Sequence, residues 1–203
     1  MTLEIRQVGE PVLRQRARPL SMEEIRSSAI QHLIAQMRDA MRQAPGVGLA
    51  APQIGQSLQL AVIEDREEYL EGIDPSILQE RERATVPFHV IINPRLSISE
   101  GTSAVFFEGC LSLTHFAALV PRATAVRVEC LNELGEPQII QARGWYARIL
   151  QHEIDHLNGM LYIDRMLSRS FMSLDNLTKH WADKSRRHLQ TELDLPELGP
   201  PAA

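Results

Sequence analysis

Five consecutive residues carry the clearest chemical signal in the chain: His152, Glu153, Ile154, Asp155 and His156. On a helix, positions i and i+4 share a face, with Cβ atoms about 5–6 Å apart. Two imidazoles at 152 and 156 can therefore converge on one metal ion. Glu153 stands beside the first of them, placed to handle the proton of a metal-activated water. This is the H-E-x-x-H arrangement of metal-dependent hydrolases. The same spacing also suits two exposed histidines on a charged helix face, so the pentapeptide is not decisive by itself.

A catalytic divalent metal usually takes three protein ligands and leaves one position open. No H-x-x-G-x-x-H continuation follows His156, and the downstream carboxylates Asp164 and Asp175 belong to no motif. Upstream, Cys110 offers another donor within Glu108-Gly109-Cys110-Leu111-Ser112. A lone cysteine is more often an inert apolar residue than a ligand. Cys130, on the apolar side of a strand pattern, is read as core in that way.

Elements must hold these groups. Trp145 to Asn158 reads as the helix bearing the two histidines, closed by Gly159 just past its end. A helix over about 22–43 is expected from Ile30, Leu33, Ile34, Met37 and Met41 at helical spacing. Ser21 and Glu24 form a candidate capping box before it. Leu58 to Ile63 and His89 to Ile92 read as strands. The charge-rich stretch 64–87 between them reads as a surface excursion. Val126, Val128 and Cys130 alternate with Arg127 and Glu129, and a turn around Gly135 leads into a returning strand, which predicts a hairpin. A last helix over about 174–191 carries Leu174, Leu177 and Trp181, followed by a Pro-rich tail expected to fray. The mix is α+β: antiparallel β-sheets packed around a central metal-binding helix.

Composition bounds the function. With 203 residues and 44% hydrophobic content, the chain supports one globular domain with a real core. A net charge of -5 gives no global pull on nucleic acid, so no direct sequence-specific nucleic-acid binding is expected. No apolar run approaches the roughly 20 residues of a membrane helix. The N-terminal MTLEIRQVGEPVLRQ lacks the pattern of a secretory signal or an organelle presequence, so a cytoplasmic location is expected. Two cysteines are too few for a disulfide framework.

Three segments together resemble the peptide deformylase family: Gly46-Val47-Gly48-Leu49-Ala50-Ala51-Pro52-Gln53, Glu108-Gly109-Cys110-Leu111-Ser112, and Gln151-His152-Glu153-Ile154-Asp155-His156-Leu157. They stand in the family's order and approximate spacing, and the likeness runs from about residue 3 to about 166. The resemblance implies removal of the formyl group from the N-terminal methionine of new proteins, by metal-activated water. It implies that Cys110, His152 and His156 hold the metal and that Glu153 is the general acid/base. It implies that the Gln53 side chain and the Leu111 backbone N–H form the oxyanion site, and that Gly48 presents backbone groups to the substrate peptide. The metal implied is Fe(2+), with Zn, Ni or Co able to substitute. Formyl-methionyl nascent peptides are the expected partners. The basic residues Lys179, Lys184, Arg186 and Arg187 of the last helix suggest by resemblance a contact with the ribosome, against the simpler reading of a solvated face.

Val47 and Ile149 lie close to these motifs and are candidates for an apolar slot for methionine, or else ordinary core residues. Asp155 and Arg122 are expected to pair as buried support for the metal helix. The metallohydrolase domain is placed at 1–170, with 171–203 as a C-terminal helix and Pro-rich tail, part of the same domain or an appendage. Two rival readings stand beside this one: an H-E-x-x-H endopeptidase with a downstream third ligand, and a metal-stabilised protein that holds peptides without processing them.

Overall fold

The structure, a computed structural model, describes residues 3–98, 103–181, 184 and 186–195. The first helical stretch is not one helix but two, α1 (Met22–Arg26) and α2 (Ser28–Gln43). Ser21 and Glu24 do form the capping box of α1. The expected single helix over 22–43 breaks at Ser27, which is extended at φ −69°, ψ 146° and accepts the Ile30 N–H on its side chain. A serine hydroxyl competing for backbone groups in this way starts a new helix rather than continuing the old one.

The chain then forms β1 (Gly48–Ala50), β2 (Leu60–Asp65), α3 (Pro75–Glu80), β3 (Val86–Ile98), β4 (Ser103–Cys110), β5 (Leu113–Ala123), β6 (Ala125–Leu131), β7 (Pro137–Arg143), α4 (Gly144–Leu157), β8 (Met172–Ser173), α5 (Leu174–Asn176) and α6 (Arg186–Glu192). Two antiparallel sheets result, one of five strands in the order β1-β2-β3-β6-β7 and one of three in the order β4-β5-β8. The expected α+β architecture is borne out, with α4 as its centre.

Strand β2 shows why the large sheet sits between helices. Leu60 and Val62 join Ile30, Ile34, Met37 and Met41 of α2 in one apolar cluster. Their neighbours Ala61 and Ile63 join Ala147, Leu150, Ile154 and Leu157 of α4 in another. Both faces are covered, so the strand reads as an unbroken apolar run rather than as alternation. The hairpin of β6 and β7 keeps the expected alternation, with Val126, Val128 and Cys130 inside. Gly159 closes α4 at φ +75°, where a side chain would strike the Arg14 carbonyl at 2.8 Å.

Two further expectations need correction. The stretch 64–87 is not wholly a surface excursion: its ends belong to β2 and β3, and Glu64 and Asp65 are buried. Each carboxylate is held by an arginine, Glu64 by Arg42 at 2.7 Å and Asp65 by Arg83 at 2.8 and 2.9 Å. The expected helix over 174–191 appears as α5, a π-helical turn at Leu177–Trp181, and α6; residues 182, 183 and 185 lie outside the described residues. Of the tail, residues 196–203 also lie outside them, whereas Leu195 is buried against Val105 and Leu119. No helix among the described residues is long and apolar enough to cross a membrane.

Candidate metal centre

The β4–β5 hairpin ends in a tight turn at residues 111–112, and Cys110 stands at its tip, opposite Leu113. Helix α4 runs alongside and presents His152 and His156 from successive turns, as their spacing predicts. The ligand atoms of Cys110, His152 and His156 all lie within 4.8 Å of one another. The Cys110 sulfur is 3.2 Å from His156 Nε2. Among the described residues this is the only group of three or more His, Cys, Asp or Glu that could hold a metal ion. Of the downstream alternatives, Asp164 accepts from Arg14 and from the Leu161 N–H, and Asp175, exposed in α5, is outside the ligand group.

The donor set suits a borderline divalent metal, two imidazoles with one thiolate. The surroundings fit it as well. His152 Nδ1 donates to Glu108 Oε2 at 3.0 Å, which orients the ring and leaves Nε2 as its candidate ligand atom. Burial works against the Glu108 charge, but its bonds from His152 and Arg122 hold the carboxyl well below the usual carboxylate range. Burial likewise works against a charged His152, and its bonds to Cys110 and Glu108 outweigh it. His156, buried and facing that charge, is held well below the usual imidazole range.

Arg122 and Asp155 pair directly and are both buried, as expected. Arg122 also grips Glu108 with two bonds of 2.9 and 3.0 Å, and Arg165 binds Asp155 with bonds of 2.7 and 2.9 Å. Glu108 and Arg148 were not singled out by sequence reasoning. A signal existed for each: Glu108 stands two residues before Cys110 in β4, and Arg148 precedes His152 by one helical turn.

Gln53 is 1% exposed, and its orientation is set from both ends. Its Oε1 accepts the Ala50 N–H at 2.8 Å, while its Nε2 points to Ser112 Oγ at 3.2 Å and Cys110 Sγ at 3.5 Å. Glu153 is 3% exposed, and its Oε2 has no hydrogen-bond partner among the described residues. Burial pushes its carboxyl up to about 7.

All of this opens on one cavity of about 460 Å³. Val47, Gly48, Gln53, Cys110, Leu111, Ile149, His152 and Glu153 line it, so eight of the nine sequence-predicted site residues come together there. The ninth, His156, is 1% exposed and reaches the sulfur from behind. Trp145, Phe116 and Leu174 also line the cavity and were not predicted as site residues.

Two histidines on one helix, a cysteine on the facing hairpin and a buried carboxylate beside the first histidine define a metal-dependent hydrolase on an α+β frame. The polypeptide deformylase family model matches residues 2–171. The chain is 45% identical over 174 residues to the chloroplastic peptide deformylase 1A of Solanum lycopersicum, covering 86% of this chain and 63% of that protein. It is 43% identical over 192 residues to the chloroplastic/mitochondrial peptide deformylase 1A of Arabidopsis thaliana, covering 95% and 68%. Among solved structures, the Met-Ala-Ser-bound class I type b peptide deformylase of Acinetobacter baumannii matches with a TM-score of 0.72 and 32% identity, over 82% of this chain and 99% of that one. The Synechococcus elongatus peptide deformylase in complex with actinonin matches with a TM-score of 0.68 and 35% identity, over 95% and 84%. The chain belongs to the polypeptide deformylase family, metal-dependent hydrolases that remove the formyl group from N-terminal methionine. The resemblance read from the three segments is thereby borne out.

Proposed function

We propose that this chain deformylates the N-terminal methionine of nascent peptides, with Cys110, His152 and His156 holding one divalent ion and Glu153 moving the proton. The observation that carries this reading is the convergence of the three donor atoms within 4.8 Å at the wall of a cavity that also holds Gln53, Leu111 and Glu153. The thiolate and two imidazoles suit Fe(2+), with Zn, Ni or Co able to substitute. Such an ion supplies Lewis acidity, which lowers the pKa of water to about 7 and polarises a carbonyl.

The chain's own groups do the rest. Glu153, unpartnered at Oε2 among the described residues, takes the proton of the attacking water and returns it to the leaving amine nitrogen of methionine. The Gln53 Nε2 and the Leu111 N–H donate to the formyl oxygen as it gains charge. Because Ala50 holds Gln53 Oε1, the amide cannot turn its carbonyl to that oxygen instead. Val47 and Ile149 supply apolar wall for the methionine side chain, and Gly48 offers backbone groups to the peptide. A formyl carbon carries only a hydrogen, so a narrow site there excludes acetyl groups.

The finer placement of the protein belongs to the same proposal. Residues 1–170 form the metallohydrolase domain, supported by a family match that ends at 171. Leu193 and Leu195, packed with Val105, Phe107 and Leu119, support counting 171–203 with that domain. Exposed Lys179 and Lys184 support a ribosome contact, which co-sedimentation of a Lys179→Glu, Lys184→Glu variant tests. Residence in the cytoplasm is tested by cell fractionation, since both plant relatives are chloroplastic by name.

The central test is formate release from formyl-Met-Ala-Ser by protein purified without oxygen and loaded with Fe(2+), wild type against Glu153→Ala. Formate from the wild type, lost in the variant while metal stays bound, supports the reading. No formate from metal-loaded wild type overturns it.

A further inference from the structure

Arg148 is 4% exposed, an unusual place for a guanidinium. Burial pulls it down to about 10, so it still carries its charge at neutral pH. Three of its five N–H donors are used inside the fold. Nη1 donates to Glu108 Oε1 at 2.6 Å and to the Val120 carbonyl at 2.9 Å, and Nη2 donates to the Ala104 carbonyl at 2.7 Å. The ring of Phe106 lies 5.2 Å from its centre.

These contacts span three elements. Arg148 belongs to α4, Ala104 to β4 and Val120 to β5. The helix carries two of the three metal-ligand candidates, and the β4–β5 hairpin carries the third. Arg148 therefore pins one part of the ligand set to the other. It also completes Glu108. Oε1 accepts from Arg122 Nε and Arg148 Nη1, and Oε2 accepts from Arg122 Nη2 and His152 Nδ1. A carboxylate offers about four lone-pair sites, so all are taken. A planar fork can hold both the carboxylate and the strand carbonyls at once, which an ammonium cannot match.

We propose that Arg148 is a positioning residue for the metal centre: it fixes the register of the histidine helix against the cysteine hairpin and the plane of the Glu108 carboxylate that orients His152. This rests on the ligand set of the proposed function. Partners of this kind typically set metal affinity by about 10–100-fold.

The test uses Co(2+) bound to the full chain. Co(2+) held by a thiolate gives a sulfur-to-metal absorption band, and its transfer to excess chelator gives a release rate. Wild type is compared with Arg148→Met, Arg148→Lys and, as a control for general destabilisation, Met37→Ala, whose side chain is buried in α2 across the large sheet. The expected result is release about 10–100-fold faster in Arg148→Met, with a shifted band, and an intermediate rate in Arg148→Lys. Met37→Ala melts earlier but keeps the wild-type band and release rate. If Arg148→Met does not fold, Arg148→Lys alone decides. Wild-type release and band in a folded Arg148 variant would overturn the proposal, as would equally fast release from Met37→Ala. A wild type with no thiolate band would overturn the ligand set itself, and this proposal with it.

Discussion

Gly48 and Glu153 are packed so closely that a single methyl group on Gly48 would sit 2.6 Å from the Glu153 Cδ and 2.8 Å from its Cγ. No relaxed carbon contact is that short, so Gly48→Ala must move the carboxylate. General acid–base groups contribute about 10²–10⁴-fold, and a displaced one should forfeit at least the lower figure. We expect kcat on formyl-Met-Ala-Ser to fall about 100-fold while metal content stays at one ion per chain. Steady-state kinetics alongside metal analysis checks this; wild-type kcat in the variant would contradict it.

Gln53→Ala removes a donor aimed at the developing oxyanion. The loss should be about 2.7–4 kcal/mol in barrier, or 10²–10³ in kcat. It also strips the Ala50 N–H of its acceptor, for a stability cost of about 1 kcal/mol. Kinetics and urea unfolding on the same sample separate the two effects.

Replacing Cys110 tests the third ligand. Cys110→Asp should lower affinity for Zn and Co or change which metal is retained, because a hard carboxylate replaces a soft thiolate. Elemental analysis after dialysis against a weak chelator reads the outcome. A protease using a downstream carboxylate would keep its metal unchanged.

Arg122→Met leaves two buried carboxylates short of a cation. Breaking a buried pair from one side typically costs about 3–5 kcal/mol. Glu108 keeps Arg148 and Asp155 keeps Arg165, so the lower end is expected. The reading is the shift in urea midpoint at constant slope. A variant as stable as wild type would show that the network is dispensable for folding.

His89 should make stability depend on pH. Burial pulls its pKa below the ordinary 6.5, against smaller raising effects of the Pro87 carbonyl and Glu133. Its Nδ1 lies 2.9 Å from the Pro87 carbonyl and its Nε2 lies 3.0 Å from the Tyr146 hydroxyl, a pairing that suits the neutral ring. Tyr146, pushed up to about 12 by burial, stays a phenol throughout. With the folded pKa below the unfolded one, this contribution is complete above about pH 6.5 and is lost as pH falls through the folded value. Melting temperatures from pH 5 to 8 should therefore fall more steeply at the acid end in wild type than in His89→Gln.

Elements with a clean period were legible. The helix bearing His152 and His156, its stop at Gly159 and the β6–β7 hairpin all follow from local patterning. The convergence of Cys110 on the histidines was not, because it depends on a hairpin docking across 46 residues of sequence, and only the family resemblance pointed there. Charge misled at Glu64 and Asp65, whose neutralising arginines lie 22 and 18 residues away. Arg148 was passed over, because its partners Ala104 and Val120 lie 44 and 28 residues away in the chain. The break at Ser27 was hidden because apolar spacing continues beyond it. At the carboxylates and at Arg148 tertiary pairing overrode a local rule, whereas at Ser27 a local cap overrode the apolar period.

The division of the ligand set between hairpin and helix has a consequence for handling the protein. An ion held there acts as a removable staple between two parts of the chain, present in the folded form and absent from the unfolded one. Folding stability should then climb with the logarithm of free metal concentration. A chelator becomes a gentle denaturant, and oxidation of one sulfur, that of Cys110, unfastens the same joint without touching any apolar contact.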